Sequence, residues 1–471
     1  MIYKLLQLKK HVYDASKIDW DHRMFDSHTI WRLLIPLMIE NLLASFMGMA
    51  DSMMVTRIGS AAISAVSLTD SINNLVIQLF SAMATGGTIL CSQYIGSGNQ
   101  EKANAAAQQV VLAITAIALG ITFFAEALNR QILQLVFGSV EPAVLSAAVT
   151  YFAFTAASFP FLGLYQVGAA FYRAGGNSKF PMKVSVVSNM MNIIGNAIFI
   201  FGFGWGVAGA AFSTLLSRIF SALVLFAFLR QPKQAIVVRN YRIRPDFDMI
   251  GRVLAIGIPS GIENSMFQFG KLAIQSSVST LGTTAIAAQA MAIIFENVNG
   301  IGGIAVGIGL MTIVGQTLGA GRKEEAKYYI VRLMDISNWV IIISCLSVLA
   351  LCKPVMWIAG MEPEAAEICF QMVIFITISK ILVWVPSFIP AYGLRAAGDV
   401  RFTMIVSSLS MWLTRVALVT YFIRVCGMGP IAVWIGMAAD WCVRGVFFLI
   451  RFMNGKWLKH SMIEHDEHAL H

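Results

Sequence analysis

The feature that most constrains this chain is the length of its uncharged stretches. Residues 142–172 and 184–217 carry no charged side chain at all, and each exceeds the roughly 20 residues that an α-helix needs to cross the hydrocarbon core of a bilayer. Apolar segments of this kind recur near 31–55, 63–93, 104–127, 142–172, 181–203, 206–229, 250–281, 284–316, 329–352, 365–394, 402–424 and 429–450. Of the 471 residues 57% are hydrophobic and 13% charged, against about 25% charged in an average soluble chain. Disordered, collagen-like and ordinary cytosolic classes are thereby excluded. The reading is an all-α polytopic membrane protein. Pro36, Pro160, Gly202, Pro259, Pro386 and Pro390 fall inside the segments and predict kinks, which a helix bundle tolerates because neighbours satisfy the freed backbone groups.

The formal charge of +9 would suggest a nucleic-acid partner in a soluble protein, but here it is read against the membrane first. With the N-terminus inside, the inner loops and tails hold 25 of the 34 Lys and Arg, and the external loops hold Arg57, Arg130, Lys353 and Arg424. The positive-inside rule therefore places both ends in the cytoplasm, and no nucleic-acid partner is expected. Residues 1–29 are polar, with Lys4, Lys9, Lys10, Lys17 and Arg23, and lack the apolar core and small-residue cleavage site of a secretory signal. Five basic residues, Arg218, Lys271, Lys380, Arg415 and Arg444, remain inside predicted spans.

The two halves of the chain repeat each other. At an offset of 223, Ile35, Pro36, Ile39, Glu40 and Asn41 recur as Ile258, Pro259, Ile262, Glu263 and Asn264, and Gly59, Gln93, Gly96, Gly98 and Glu101 recur as Gly282, Gln316, Gly319, Gly321 and Glu324. At an offset of 222, Arg173, Ala174, Gly176, Phe180 and Met182 recur as Arg395, Ala396, Gly398, Phe402 and Met404. Six spans per half is an even number, so both halves start on the same side and are related by an axis along the membrane normal. The expected architecture is twelve transmembrane helices in two homologous six-helix lobes with a central cleft. Its parts are a cytoplasmic tail (1–30), an N-lobe (31–229), a cytoplasmic linker (230–249), a C-lobe (250–451) and a second tail (452–471). Such a repeat favours transport over enzymology without naming a cargo.

No catalytic constellation is visible. The six cysteines are scattered without metal spacing and read as small packing residues. The seven histidines lie in the two tails, at 11, 22, 28, 460, 465, 468 and 471. A nucleophile elbow, a phosphate-cradling glycine loop and HExxH are all missing, so the chain is not expected to be an enzyme, to need a cofactor or to hold a structural metal.

Ionisable groups within spans cost roughly 2.5–3.5 kcal/mol each at the helix centre, which makes each a functional candidate. Glu40 lies near mid-depth of the first span, and Asp51, eleven residues on, is about 16 Å further along at 1.5 Å per residue. Glu40 has a repeat partner in Glu263, which suggests a paired structural role such as bonding the kinked backbone beside Pro36 and Pro259. Asp51 has none, since its repeat position is Ile274; that asymmetry points to a specialised role. Asn192 and Asn196 share one helical face, with Asn189 a turn earlier, a pattern that suits either a hard-cation or shared-proton site beside a carboxylate or interhelical hydrogen bonding. Lys271 either neutralises a membrane carboxylate such as Glu296 or titrates during a transport cycle. Asp440 and Arg444, four apart, pair on one face, whereas Arg415, Lys380 and Arg218 have no evident partner and either line water or snorkel.

Taken in order, IPLMIENLLASFMGMADSMMVTRIGSAAISAVS, QYIGSGNQEKA with its repeat QTLGAGRKEEA, YRAGGNSKFPM with RAAGDVRFTM, and NIIGNAIFIFGFGWGVAGAAFST resemble the multidrug and toxic compound extrusion (MATE) family over about residues 31–451. The resemblance implies a V-shaped pair of six-helix lobes that alternate access and expel cationic or amphipathic compounds against an inward flow of H⁺ or Na⁺. It implies an N-lobe coupling site at Asp51, Asn192, Asn196 and Thr214, with a possible Na⁺ at Asp51. The family's second acid falls on Asn196, a departure that removes one carboxylate and tilts the expectation toward protons. The family's C-lobe cation site has Phe267 or Gln268 and Trp384 in place of its acids, with Lys271 nearby as a fixed or titrating counter-charge. Met47, Met53, Phe267, Gln268 and Met291 offer an adaptable substrate surface. The chain is expected to work as a monomer in a bacterial cytoplasmic membrane, with small molecules and lipids as its partners. The competing reading is a lipid-linked oligosaccharide flippase of the same wider superfamily, with a more cationic central cavity.

Overall fold

A computed structural model describes residues 12–138, 141–239 and 244–460. Lys4, Lys9, Lys10, His11, His465, His468 and His471 lie outside the described residues. All regular structure among those residues is helical. Ten helices are long and apolar enough to span a bilayer: α1 Ser27–Thr56, α2 Ser60–Gly96, α3 Gln100–Ala127, α5 Lys179–Gly202, α6 Gly206–Leu229, α8 Thr283–Gly319, α9 Lys323–Ile358, α10 Pro363–Ala396, α11 Val400–Arg424 and α12 Ile431–Met453. An eleventh, α4, is the pair Pro142–Ala157 and Phe159–Ala174, bent by 44°. The break falls at Ser158, two residues before Pro160, whose ring cannot continue the hydrogen-bond ladder. A further long helix, α7 Phe247–Val278, is less apolar, carrying Asp248, Arg252, Glu263 and Lys271.

Helix limits depart from the apolar runs where polar residues cap them. α1 starts at Ser27 because Asp26 accepts from the Thr29 N–H at 2.8 Å, an N-cap that satisfies one of the orphan donors of the first turn. His28 therefore stands inside a helix rather than in a tail. Between α3 and α4 a short helix, Asn129–Phe137, occupies what the sequence offers only as a loop. Its Asn129 and Leu133 are buried while Leu135 and Val136 are exposed.

The repeat is visible in backbone conformation. Gly98 and Gly321 adopt φ of 74° and 75°, and Gly176 and Gly398 adopt 80° and 94°. After each pair the same closure forms, Asn99 N–H to Tyr94 O at 3.0 Å and Arg322 N–H to Thr317 O at 3.1 Å, Asn177 N–H to Tyr172 O at 2.9 Å and Asp399 N–H to Leu394 O at 3.0 Å. These are six-to-one bonds of a left-handed helix cap, which a Cβ would strain. The glycines recur in sequence because the caps recur in space.

The chain forms two compact units whose limits fall inside α1 and α7. The N-unit is Ile35–Gly261, and the C-unit joins the residues up to Leu34 to Ile262–His471. In the N-unit the first half of α7 packs on α2 so closely that a Cβ on Gly86 would lie 2.9 Å from the Val253 carbonyl oxygen. In the C-unit the segment before α1 is tied to α9. The Phe25 N–H donates to the Tyr329 hydroxyl at 2.8 Å, the Met24 N–H to Glu325 at 2.8 Å, and Arg332 to the Ser27 hydroxyl at 2.9 Å. Each crossing between units lies within three residues of a proline, Pro36 or Pro259.

Candidate functional site

Each unit holds a nest of ionisable side chains at membrane depth, and each also holds an ion pair closer to the inner loops. The latter are built alike. Glu40 accepts from Arg173 at 2.7 Å and from the Tyr165 hydroxyl at 3.1 Å, and Glu263 accepts from Arg395 at 2.5 Å. Both acids are buried. The expected bonding of Glu40 and Glu263 to a kinked backbone is thus replaced by side-chain ion pairs to two loop-proximal arginines. Those arginines are themselves a repeated pair, a coincidence legible in the sequence once the acids and the arginines are read together.

The N-unit nest gathers Asp51, Asn192, Asn196 and Thr214. Asn196 Nδ2 donates to Asp51 Oδ1 at 2.8 Å. With the Asn192 amide oriented to place its nitrogen on the carboxylate, Nδ2 lies 2.8 Å from Asp51 Oδ1 and 3.2 Å from Oδ2, and its oxygen accepts from the Thr214 hydroxyl at 3.2 Å. This orientation is assigned from the hydrogen-bond network. The approach of α5 to α6 that makes this possible depends on Gly195, where a Cβ would sit 2.3 Å from Ser213 Oγ. Ser213 in turn donates to the Asn192 carbonyl at 2.8 Å. Directly after Asn196 the helix widens to π geometry over Ala197–Gly202, a distortion that recurs at functional sites.

Two further residues complete this nest: Asp70, which the sequence pattern does not single out, and Arg218, which it leaves without a partner. Asp70 on α2 accepts from Asn73 at 3.2 Å and from the Tyr151 hydroxyl at 3.4 Å. Arg218 on α6 donates to Ser158 at 2.6 Å, at the break in α4, and interacts electrostatically with Asp51, Asp70 and Tyr151. Arg218 therefore has partners, and the carboxylate missing at Asn196 has a counterpart on another helix. Toward the end of α1 an apolar cluster gathers Val55, Ala62, Tyr151, Ile200, Ala210 and Ala211, and its Tyr151 hydroxyl reaches Asp70 in the nest. Low-dielectric surroundings of this kind strengthen every charge interaction inside.

The C-unit nest has another pairing from the one expected. Glu296 is bonded by Lys380, not Lys271: Lys380 Nζ donates to the Glu296 carboxylate at 2.7 Å, to the Glu296 carbonyl at 2.8 Å and to the Asn299 side-chain oxygen. Lys380 is fully buried because α8 presents glycines toward it. A Cβ on Gly300 would lie 3.1 Å from Lys380 Nζ, and one on Gly303 2.4 Å from the Trp384 ring. A π turn over Lys380–Trp384, ahead of Pro386, aims the ammonium inward. Asp440 and Arg444 pair as expected, Nε to Oδ1 at 3.4 Å, and Asp440 also accepts from Ser410 at 2.6 Å. Phe267 lies under Arg444, with the guanidinium 5.1 Å from the ring centre, and Trp384 stacks on Phe388 at 4.7 Å. Met47 and Met53 lie on α1 in the N-unit, whereas Phe267, Gln268 and Met291 belong to the C-unit; Met53 is exposed and the other four are half-buried.

Comparison with known proteins agrees with the repeat. The MatE family model matches residues 36–198 and again 259–420, two stretches whose starts are 223 residues apart and whose ends are 222 apart. The chain is 26% identical over 439 residues to the probable multidrug resistance protein NorM of Thermotoga maritima, covering 92% of this chain and 94% of that protein. It is 26% identical over 254 residues to the multidrug export protein MepA of Staphylococcus aureus, covering 54% and 56%. The fold superimposes with a TM-score of 0.86, at 18% identity and 92% and 96% coverage, on a multidrug resistance MATE family transporter of the MOP superfamily solved in an outward-facing conformation. With both repeats matched, this chain belongs to the MATE family of multidrug efflux transporters.

Proposed function

We propose that the protein is a secondary antiporter that exports cationic or amphipathic small molecules in exchange for protons, with Asp51 as the coupling group. The observation that carries this reading is the donor set around Asp51. A bound Na⁺ needs several oxygen ligands turned toward it, whereas the Asn196 amide nitrogen donates to this carboxylate, the Asn192 amide is assigned the same sense, and the guanidinium of Arg218 already lies within electrostatic range. A proton needs only one free lone pair on the carboxylate. Protonation removes a charge from this nest, weakens the hold of Asn192 and Asn196, and favours whichever packing of α1, α5 and α6 tolerates a neutral acid. The energy available for this shift is the difference in Asp51 solvation and bonding between two conformations. Asp70 supplies the second carboxylate of the nest and keeps Arg218 compensated while Asp51 is neutral. The same reading places both termini in the cytoplasm of a bacterial cell, treats the chain as a monomer and needs no cofactor beyond the coupling ion.

The test is efflux of a fluorescent cation such as ethidium from proteoliposomes under an imposed pH or Na⁺ gradient. The expected result is export driven by the pH gradient, abolished in Asp51→Asn, with Asp70→Asn retaining transport at a shifted pH optimum. Unaltered pH-driven efflux in a correctly folded Asp51→Asn protein overturns the assignment, and export driven by Na⁺ alone overturns the choice of ion.

A further inference from the structure

The nests of the two units have opposite signs. In the N-unit, Asp51 and Asp70 face one cation, Arg218. In the C-unit, Lys271, Lys380, Arg415 and Arg444 share two acids, Glu296 and Asp440. Lys380 is consumed by Glu296 and Asn299, and Arg444 uses Nε on Asp440 at 3.4 Å, which leaves its buried Nη2 without a hydrogen-bond partner. Arg444 is 2% exposed, and a buried donor left without an acceptor is destabilising. Lys271 and Arg415 have no ion pair or hydrogen bond among the described residues, and Arg415 Nε is another buried donor without an acceptor.

These groups converge. Gly270 on α7 meets Met411 on α11 so closely that a Cβ there would lie 2.4 Å from the methionine methyl. Lys271 follows Gly270, and Arg415 lies one turn beyond Met411 on the same face. The two cations interact with each other and with Glu296. Arg444 interacts with Arg415 and lies over Phe267, one turn before Lys271 on α7. The Lys271 side chain is exposed, which leaves the cluster open on one side. Two adjacent cations at membrane depth repel each other, and an incoming anion relieves that repulsion while filling the empty donors.

We propose that Lys271, Arg415 and the unpartnered Nη2 of Arg444 form an oxyanion-binding site in the C-unit. The site takes the carboxylate or phosphate of an amphipathic compound, whose apolar body lies against Phe267. Guanidinium groups suit this because they stay charged and present a planar fork that matches a carboxylate or phosphate. The inference rests on the export reading for its substrate class, but not on the identity of the coupling ion.

Equilibrium binding without any gradient tests it. The full-length protein in phosphatidylcholine nanodiscs is titrated with norfloxacin, which carries a carboxylate and an amine, with norfloxacin ethyl ester, and with ethidium. The acid should bind about tenfold more tightly than the ester, the equivalent of one charge-assisted contact of about 1.4 kcal/mol. Lys271→Gln and Arg415→Gln should each erase that preference and leave the ester and ethidium within about twofold of wild type, and Lys271→Arg should restore it. Repeating the titration with phosphatidylglycerol in the nanodisc separates the sources. Competition by the anionic lipid assigns the site to a headgroup phosphate, and indifference to it assigns the site to the small molecule's own oxyanion. Equal binding of acid and ester in the wild type overturns the proposal, as does a parallel loss of ethidium binding in the variants. Failure of pH-driven efflux with this preference intact overturns the coupling assignment alone.

Discussion

Lys380→Met is the sharpest probe of what holds the C-unit together. All three ammonium donors are used, on the Glu296 carboxylate at 2.7 Å, the Glu296 carbonyl at 2.8 Å and the Asn299 side chain, and Lys380 itself is 0% exposed. Methionine fills similar volume but leaves a carboxylate with 21% side-chain exposure and two neutral oxygens without their donor. Removing one partner of a buried ion pair costs about 3–5 kcal/mol, whereas replacing both by neutral groups costs far less. The single variant should therefore lower stability by about that amount, raising the unfolding constant by roughly two to three and a half orders of magnitude. Lys380→Met combined with Glu296→Gln should recover about 1–3 kcal/mol of the loss, since the two positions are in direct contact. Buried Cys345 and Cys369 offer the readout, because a thiol-reactive dye reaches them only on unfolding. The exposed Cys426 and Cys442 are first changed to Ser. Equal destabilisation in the single and double variants would show that lost packing, not the stranded carboxylate, sets the cost, and the reasoning about this pair would fail.

Two other perturbations follow from the geometry. Gly195→Ala pushes a methyl group to 2.3 Å from Ser213 Oγ, and overpacking of this kind costs about 1–3 kcal/mol; efflux should fall sharply and return when Ser213→Gly is added, whereas full efflux in the single variant refutes the close approach of α5 and α6. Tyr329→Phe removes the hydroxyl that receives the Phe25 N–H and bonds the Phe25 carbonyl at 2.9 Å; trypsin should cut at Lys17 and Arg23 several-fold faster, and an unchanged cutting rate refutes the docking of this segment.

Sequence patterning reveals some parts of this molecule and hides others, for physical reasons. The spans are legible because lipid demands continuous apolar length, and the repeat is legible because its glycine caps and prolines admit few replacements. Asp51, Asn192 and Asn196 are legible from the broken repeat and a shared helical face, Thr214 only from resemblance, and the fold brings the four within hydrogen-bond distance. Partner choice among buried charges was not legible. Sequence position suggests Lys271 as the mate for Glu296, and only the packing of α8 against α10, through Gly300 and Gly303, gives that place to Lys380. Asp70 escaped notice because it precedes Asn73 in an otherwise polar-dotted span, and its importance depends on Tyr151, 81 residues away. The break at Ser158 was expected as a proline kink, but its role in receiving Arg218 is a tertiary matter.

The placement of the unit limits inside α1 and α7 bears on how such a chain can be divided. A cut in the segment between α6 and α7 yields two fragments, neither of which contains a whole unit. The first lacks residues up to 261 that complete the N-unit, and the second lacks those up to Leu34 that complete the C-unit. Each fragment would expose an unfilled groove where the other's helix end belongs, so the two should be recovered only when produced together. A half-length chain of the same design would face that problem alone and could complete itself only by lending its first helix to a second copy, an exchange of the domain-swapped kind. Fusion of two such halves turns a concentration-dependent pairing into an intramolecular one, with the linker supplying the second copy at fixed proximity.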